Sequence, residues 1–347
     1  MKTKVNVELK SLSFMITDCC NLKCIFCSRN ALSSNKQYMD PKFIKEQITE
    51  TIRWAKKLET INLSGGEPFL HPQLEEIFKI IHSFGLNVRI NTNGLFFNKK
   101  NFELLDKYNV KLFTISLDSS KREVHDKIRG LEGSFDKTVD GIKKCVNKGY
   151  KIFIKATIGK DNVDDVLDLV KFANTLGVYG FSFSRIIPIG RACFNNDENK
   201  SFIKKYLTMG SLVTKYIETT NMELLVDDPL RHIFDYRVKK FLDQKPNLEN
   251  VWGGCTAGCK FLYIRLDKTV IACTAINEPC GDLNKESLYN IWHNSKQIEE
   301  LRTRDNLKGK CGKCSKKYLC GGCRAYALAT TGDLFGEDQF CQSVGML

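Results

Sequence analysis

Cys20-Asn21-Leu22-Lys23-Cys24-Ile25-Phe26-Cys27 is the stretch that decides how this chain is read. Its Cx3Cx2C spacing supplies three thiolates from one short loop. Iron–sulfur clusters normally take four cysteines, and a structural zinc site likewise closes its fourth position. Three ligands leave one iron of a four-iron cluster without a protein ligand, and that gap can hold a substrate. On spacing alone the alternative is a zinc knuckle with a distant fourth ligand.

Further polar motifs follow apolar runs. Ser64-Gly65-Gly66-Glu67-Pro68 comes after the strand-like Ile61 to Leu63. Paired glycines let the backbone approach a ligand closely, although Gly-Gly-Glu-Pro alone is also an ordinary turn. Asn91-Thr92-Asn93-Gly94 and Ser116-Leu117-Asp118-Ser119 end two more such runs, where polar residues also serve as turn caps. Strand-length apolar runs alternate with segments of helical period. Strands are expected at Leu12 to Ile16, Ile61 to Leu63, Val88 to Asn91, Leu112 to Leu117, Lys151 to Thr157 and Gly180 to Ser184. Helices are expected near 41 to 57, 72 to 84, 100 to 107, 134 to 148, 163 to 176 and 201 to 218. Six βα units imply an α/β fold with a parallel sheet wrapped by helices. The motifs, all following strands, would gather at the C-terminal sheet edge, where barrel enzymes place their active sites.

Together these motifs resemble the signature of the radical S-adenosylmethionine (radical SAM) enzymes, in which the open iron chelates the amino and carboxylate groups of the methionine moiety. Phe26, before the third cysteine, is typical of that family. The resemblance implies a partial (β/α)6 TIM-like barrel, open on one side. It places Gly65, Gly66 and Glu67 at the methionine amino group, and Asn93, Ser116 and Asp118 at the methionine and ribose portions. His125-Asp126-Lys127-Ile128-Arg129-Gly130 is similar to the segment after the fourth strand, with Arg129 able to pair with the methionine carboxylate as a charge-assisted fork. Arg185-Ile186-Ile187-Pro188-Ile189-Gly190-Arg191-Ala192 looks like the adenine-side loop, with Pro188 as a contact.

Cysteines return in the last third at Cys255, Cys259, Cys273, Cys311, Cys314, Cys320, Cys323 and Cys341. The run Cx2Cx5Cx2C from Cys311 to Cys323 resembles the SPASM domain of radical SAM enzymes, which binds two auxiliary four-iron clusters. The resemblance puts Cys255, Cys259, Cys273 and Cys323 on the first and Cys311, Cys314, Cys320 and Cys341 on the second, giving three [4Fe-4S] clusters with the one at Cys20, Cys24 and Cys27. Two features depart from the family. The usual glycine ahead of Cys273 is Lys268, and the last pair of the dense run is separated by two residues instead of three. Zinc is the rival for these pairs. The implied division is a radical SAM partial barrel at 1–220, a bridging region at 221–250 and a SPASM domain at 251–347.

Of the 15 cysteines, Cys19, Cys145, Cys193 and Cys280 are left over. Cys145 reads as a small buried apolar residue, and Cys19 as packing beside the loop. Cys193, after the Pro188 loop, is a candidate hydrogen-atom donor, as in some radical SAM epimerases. Cys280 is a second such candidate, or a substitute ligand for Cys255 or Cys259. The net charge of +13 is offset in part by the negative charge of thiolate-ligated clusters. The lysines are scattered, as on a solvated surface, and no aromatic-interleaved basic motif supports nucleic-acid binding. Neither a signal peptide nor a membrane-length apolar window is present, so a cytoplasmic protein without disulfides or membrane contact is expected.

The chemistry the resemblance implies is reductive cleavage of bound S-adenosylmethionine, with an electron donor such as flavodoxin or ferredoxin, to a 5′-deoxyadenosyl radical that takes a hydrogen atom from the substrate. Fully ligated auxiliary clusters would carry electrons away from the product radical; with Cys255 or Cys259 free, an open iron could hold a substrate thiolate. The leading substrate class is a ribosomally made peptide or protein, receiving a thioether or carbon–carbon crosslink or an epimerised centre. Only 19 residues precede Cys20, so leader recognition would fall to the barrel, the SPASM domain or a separate protein. The alternatives are haem-precursor decarboxylation or sugar epimerisation, and an anaerobic sulfatase maturase. Against the maturase stands Thr274, where an aspartate usually follows the cysteine matching Cys273. A non-catalytic iron–sulfur or zinc protein is the distant alternative.

Overall fold

The computed structural model describes residues 7–192, 199–243 and 253–342. It begins with β1 (Ser11–Thr17), where Leu12, Phe14 and Ile16 are fully buried and alternate with Ser13 and Met15. Helix α1 (Pro41–Trp54) starts where it does because the Asp40 side chain accepts the Lys42 N–H at 2.8 Å and Pro41 needs no donor of its own. The alternation continues through β2 (Thr60–Gly65), α2 (Leu74–Ser83), β3 (Asn87–Thr92), α3 (Lys99–Lys107), β4 (Leu112–Ser116), α4 (Arg122–Arg129), α5 (Ser134–Asn147), β5 (Lys151–Ile158), α6 (Val166–Thr175), β6 (Gly180–Arg185) and α7 (Asn199–Ile217). There follow β7 (Glu223–Val226), α8 (Arg231–Phe234), α9 (Tyr236–Asp243), β8 (Phe261–Ile264), β9 (Thr269–Ile271), β10 (Gly281–Asp282), α10 (Leu288–Asn294), α11 (Lys296–Thr303), α12 (Gly309–Lys313), α13 (Arg324–Thr331) and α14 (Gln339–Gln342).

The six expected strands are β1 to β6, each within a residue or two of its expected ends. Two features exceed that reading. A seventh parallel strand, β7, pairs with β6 from Gly180↔Glu223 to Phe183↔Val226. At four residues it is too short to stand out from the stretch read as bridging. Strand β8 pairs parallel to β1, Ser11↔Phe261 to Phe14↔Ile264, so the cysteine-rich region extends the barrel sheet. The described strands form one ten-stranded sheet in the order β10-β9-β8-β1-β2-β3-β4-β5-β6-β7.

Successive side chains on a strand point to opposite faces. One face carries Ile61, Leu63, Val88, Ile90, Phe113, Ile115, Ile152 and Ile154, all buried. The other carries Asn62, Ser64, Arg89, Asn91, Thr114, Ser116, Lys155 and Thr157, all partly accessible. That polar face lines the barrel lumen. Among the described residues no helix is long and apolar enough to cross a membrane.

Candidate active site and metal centres

The Cys20–Cys27 loop leaves the end of β1 and is held from three sides. Lys23 and Ile25 N–H donate to the carbonyls of Arg129 and Ile128 at 3.2 and 3.0 Å, zipping it to the end of α4. Arg191 Nε donates to Cys24 O at 2.8 Å and its N–H to Cys27 O at 3.0 Å. The Gly65-Gly66 turn closes the third side, Gly66 N–H donating to Thr17 O at 2.6 Å and Glu67 N–H to Cys19 O at 2.8 Å. A Cβ on Gly66 would stand 2.1 Å from Cys19 O, so the approach needs a residue without a side chain.

Glu67 is fully buried. Its Oε1 accepts Thr92 Oγ1 at 2.8 Å and Phe69 N–H at 3.2 Å, and its Oε2 accepts Asn93 N–H at 2.9 Å. Burial pushes its carboxyl up to about 7 against those three bonds. Asn93 Nδ2 donates to Asn21 Oδ1 at 2.8 Å, tying this corner to the cysteine loop. Among the described residues Ser64 Oγ is buried with no hydrogen-bond partner beside the same turn.

Asp118 and Arg129 meet each other. Arg129 Nη2 lies 2.6 Å from Asp118 Oδ2, its Nη1 reaches Cys24 Sγ at 3.6 Å, and its guanidinium covers the Phe26 ring at 5.4 Å. Asp118 Oδ1 accepts Thr157 N–H at 2.9 Å. The fork expected to face a methionine carboxylate is therefore turned here onto Asp118 and the Cys24 thiol, a burial in which the Arg129 and Asp118 charges need each other. Ser116 ends β4 beside Lys155 in register, and Pro188 lies in the half-buried loop after β6. Cys193 lies outside the described residues.

The donor set fits a cluster with three protein ligands. Cys20 feels Cys24, Cys27 and Glu67, and burial first of all pushes its thiol up to about 12. Iron displaces such a proton on binding.

In the last third the electrostatic influences between thiols run within two groups. Cys255 acts electrostatically on Cys259, Cys273 and Cys323, and Cys273 on Cys323. In the second set Cys311 and Cys341 act on Cys320, and Cys311 and Cys314 on Cys341. Burial is the leading cause of each raised thiol, to about 11 at Cys259, Cys273 and Cys341 and about 12 at Cys323. Backbone N–H groups already point at sulfur, Gly322 to Cys320 at 3.3 Å, Lys316 to Cys314 at 3.4 Å and Asp338 to Cys311 at 3.4 Å. Such N–H donors are one of the means by which proteins tune iron–sulfur clusters. Arg304 knits the loops by donating to Gly253 O and Cys255 O, both at 2.6 Å. Among the described residues every cysteine is a free thiol, and no three His, Cys, Asp or Glu side chains converge as a single-ion site.

Cys145 is fully buried in α5, as a core residue. Cys19 is buried with its Sγ 3.8 Å from Ser33 O. Cys280 donates to Val270 O at 3.2 Å, and the charged groups acting on it are Arg302 and Glu286, none of them a ligand cysteine. Lys268 adopts the left-handed φ of 66° in the β8–β9 turn, the conformation the family glycine would supply.

The lumen holds residues the motifs did not point to. Lys155 Nζ lies 2.5 Å from Asp227 Oδ2 and 3.2 Å from Ser182 Oγ, and Ser182 Oγ donates to Asp227 at 3.0 Å. Arg89 lies over Phe153 at 5.7 Å, and among the described residues its buried Nε has no hydrogen-bond partner. Burial pulls its pKa down, opposed by Asp227. The signal in the sequence is a charge set within an alternating strand, Val88-Arg89-Ile90.

Residues 14–173 match the family model of the radical SAM superfamily, and residues 255–315 match SPASM, described as an iron–sulfur cluster-binding domain. The chain is 26% identical over 336 residues to the AdoMet-dependent heme synthase of Methanosarcina barkeri, covering 95% of both chains. It is 26% identical over 284 residues to the sporulation killing factor maturation protein SkfB of Bacillus subtilis, covering 81% of this chain and 64% of the other. The structure of Streptococcus suis SuiB bound to precursor peptide SuiA superposes with a TM-score of 0.76 at 19% identity, covering 97% of this chain and 77% of that one.

Proposed function

The chain belongs to the radical SAM superfamily and carries a SPASM domain, and from that premise we propose that it abstracts a hydrogen atom from a carboxylate-bearing small molecule bound in the barrel lumen. When bound, a [4Fe-4S] cluster with S-adenosylmethionine supplies a 5′-deoxyadenosyl radical, and two auxiliary clusters supply a path for electrons. Cys20, Cys24 and Cys27 are the ligands of the first cluster, and the two C-terminal quartets those of the others. Gly65 and Gly66 open the backbone to the cofactor. Glu67 and Asn93 brace that turn, Ser116 and Pro188 line its ribose and adenine sides, and Arg129 with Asp118 backs the cysteine loop.

The observation that carries the substrate class is Arg89, a lumen guanidinium whose buried Nε has no hydrogen-bond partner among the described residues. A half-buried cation whose Nε lacks a direct partner gains from an anion that completes it. Lys155 and Asp227 already satisfy one another, which leaves Arg89 to receive a carboxylate as a bidentate fork. The end-to-end likeness to a heme synthase supports decarboxylation of a haem precursor within this class. The likeness to a peptide maturation protein over 81% of the chain supports the second reading, a peptide presenting an acidic group.

The test is anaerobic reconstitution with S-adenosylmethionine and a reductant, offering a carboxylated porphyrin or its methyl ester. Carbon dioxide release from the acid alone, lost in Arg89→Met while substrate-free 5′-deoxyadenosine formation persists, is the expected result. Cofactor cleavage with no binding of either porphyrin would overturn the haem-precursor reading in favour of a peptide.

A further inference from the structure

A buried ion network lies between the barrel and both auxiliary quartets. Arg185, at the end of β6, has a side chain 2% exposed. Its Nη2 donates to Asp338 Oδ2 at 2.6 Å and its Nη1 to Oδ1 at 3.3 Å, while its Nε lies 3.3 Å from Asp228 Oδ2. The guanidinium sits over the rings of Phe340 at 4.3 Å and Tyr326 at 4.8 Å. Both carboxylate side chains are fully buried. Tyr206 Oη donates to Asp228 Oδ2 at 2.9 Å and Leu230 N–H to its Oδ1 at 2.8 Å.

Asp338 continues from this network to the cysteines. Its Oδ2 accepts the Cys323 N–H at 2.7 Å, and its own N–H points at Cys311 Sγ at 3.4 Å. Cys323 belongs to the first quartet and Cys311 to the second, so one residue is bonded to both. The charge of Asp338 also acts on Cys320, Cys323 and Cys341. Two carboxylates against one guanidinium leave this triad itself net negative, in an interior where water screens charge poorly, while the buried Arg324 guanidinium stands beside it with Nη2 3.8 Å from Cys311 Sγ.

Resting on the reading that each quartet holds a [4Fe-4S] cluster, we propose that Asp338 is a positioning residue for the auxiliary centres. It fixes the Cys311 and Cys323 loops to one carboxylate–guanidinium–carboxylate network whose net negative charge lowers the reduction potentials of both clusters. Net charge and hydrogen bonding around the sulfurs are the protein's means of setting such potentials, and partners behind the ligands orient them.

The test is an EPR-monitored redox titration of the anaerobically reconstituted full chain and of two isosteric variants. Asp338→Asn removes the charge beside Cys323. Asp228→Asn removes the same charge on the far side of Arg185 without touching a cysteine. Both are expected to move the auxiliary couples to more positive potential, Asp338→Asn further, with iron per chain unchanged. The couple at Cys20, Cys24 and Cys27, whose loop is faced by Arg129 and Glu67 instead, stays in place. Unmoved auxiliary couples at full iron content, or an equal shift of all three, would overturn the proposal. If Asp338→Asn fails to retain its clusters, Asp228→Asn decides alone, a positive auxiliary shift supporting the proposal and none refuting it. A wild-type chain with no auxiliary couple at all overturns the cluster reading itself, which separates that failure from the failure of the Asp338 role.

Discussion

Glu67 joins the Gly65-Gly66 turn to the Asn93 loop, and its titration reports on that joint. Burial raises its carboxyl from an ordinary 4.5 to about 7, so between those values the folded chain binds a proton that the unfolded chain does not. Stability from this group is therefore present at low pH and lost as pH rises through about 7, a change of about 3 kcal/mol across the window. Urea unfolding of the iron-free protein at pH 5 and pH 7.5 should show that decline, and Glu67→Gln should flatten it. An unchanged slope in the variant would place the titration elsewhere. Cys24 is the second residue to test, because its thiol meets Arg129 at 3.6 Å. Cys24→Ala should lower reconstituted iron by about four per chain and abolish 5′-deoxyadenosine formation; surviving cleavage would refute the ligand assignment.

Turns decide what the strands can present. The β2 turn brings Gly66 so close to Cys19 O that a Cβ would fall 2.1 Å away. Gly66→Ala should destabilise the chain by about 1–3 kcal/mol, as overpacking does, and should weaken S-adenosylmethionine binding measured by calorimetry. In the β8–β9 turn the strain runs the other way. Lys268 holds a φ of 66°, which disfavours any residue with a Cβ by about 1–2 kcal/mol, and its ammonium lies 5.1 Å over the Phe43 ring in partial compensation. Lys268→Gly should therefore raise the denaturation midpoint by an amount worth up to about 1 kcal/mol. A fall would show that the contact with Phe43 outweighs the backbone.

At the scale of the molecule, the cysteine-rich region is built into the barrel sheet, because β8 covers the free edge of β1. Unpaired strand edges promote association with other chains. A chain ending at Asp243 would lack β8, along with Leu262 and Ile264, which are fully buried in the same core as Leu12 and Phe14. Such a truncation should elute as aggregate in size-exclusion chromatography, where the full chain under the same conditions should not. A well-behaved, cooperatively unfolding truncation would show that the barrel closes without this strand.

Local chemistry is what the sequence by itself determined. Three thiols in eight residues, paired glycines ahead of Glu67, and period-two and helical patterns over six βα units are properties of neighbouring residues, so the barrel strands and the cysteine loop were legible. The assignment of the C-terminal cysteines to two quartets is likewise a proposal that rests on a resemblance carried by their spacing. Tertiary structure decided whatever depends on groups distant in the chain. Arg129 turns to Asp118 because burying either charge requires the other. β7 and β8 exist because long-range pairing satisfies backbone that neither segment could satisfy alone. Arg89 Nε lacks a hydrogen-bond partner among the described residues, and Asp338 meets both Cys323 and Cys311, only after strands and loops far apart in sequence have been brought to one place. Spacing names the atoms that can bind, but burial and long-range contact set which of them are already satisfied.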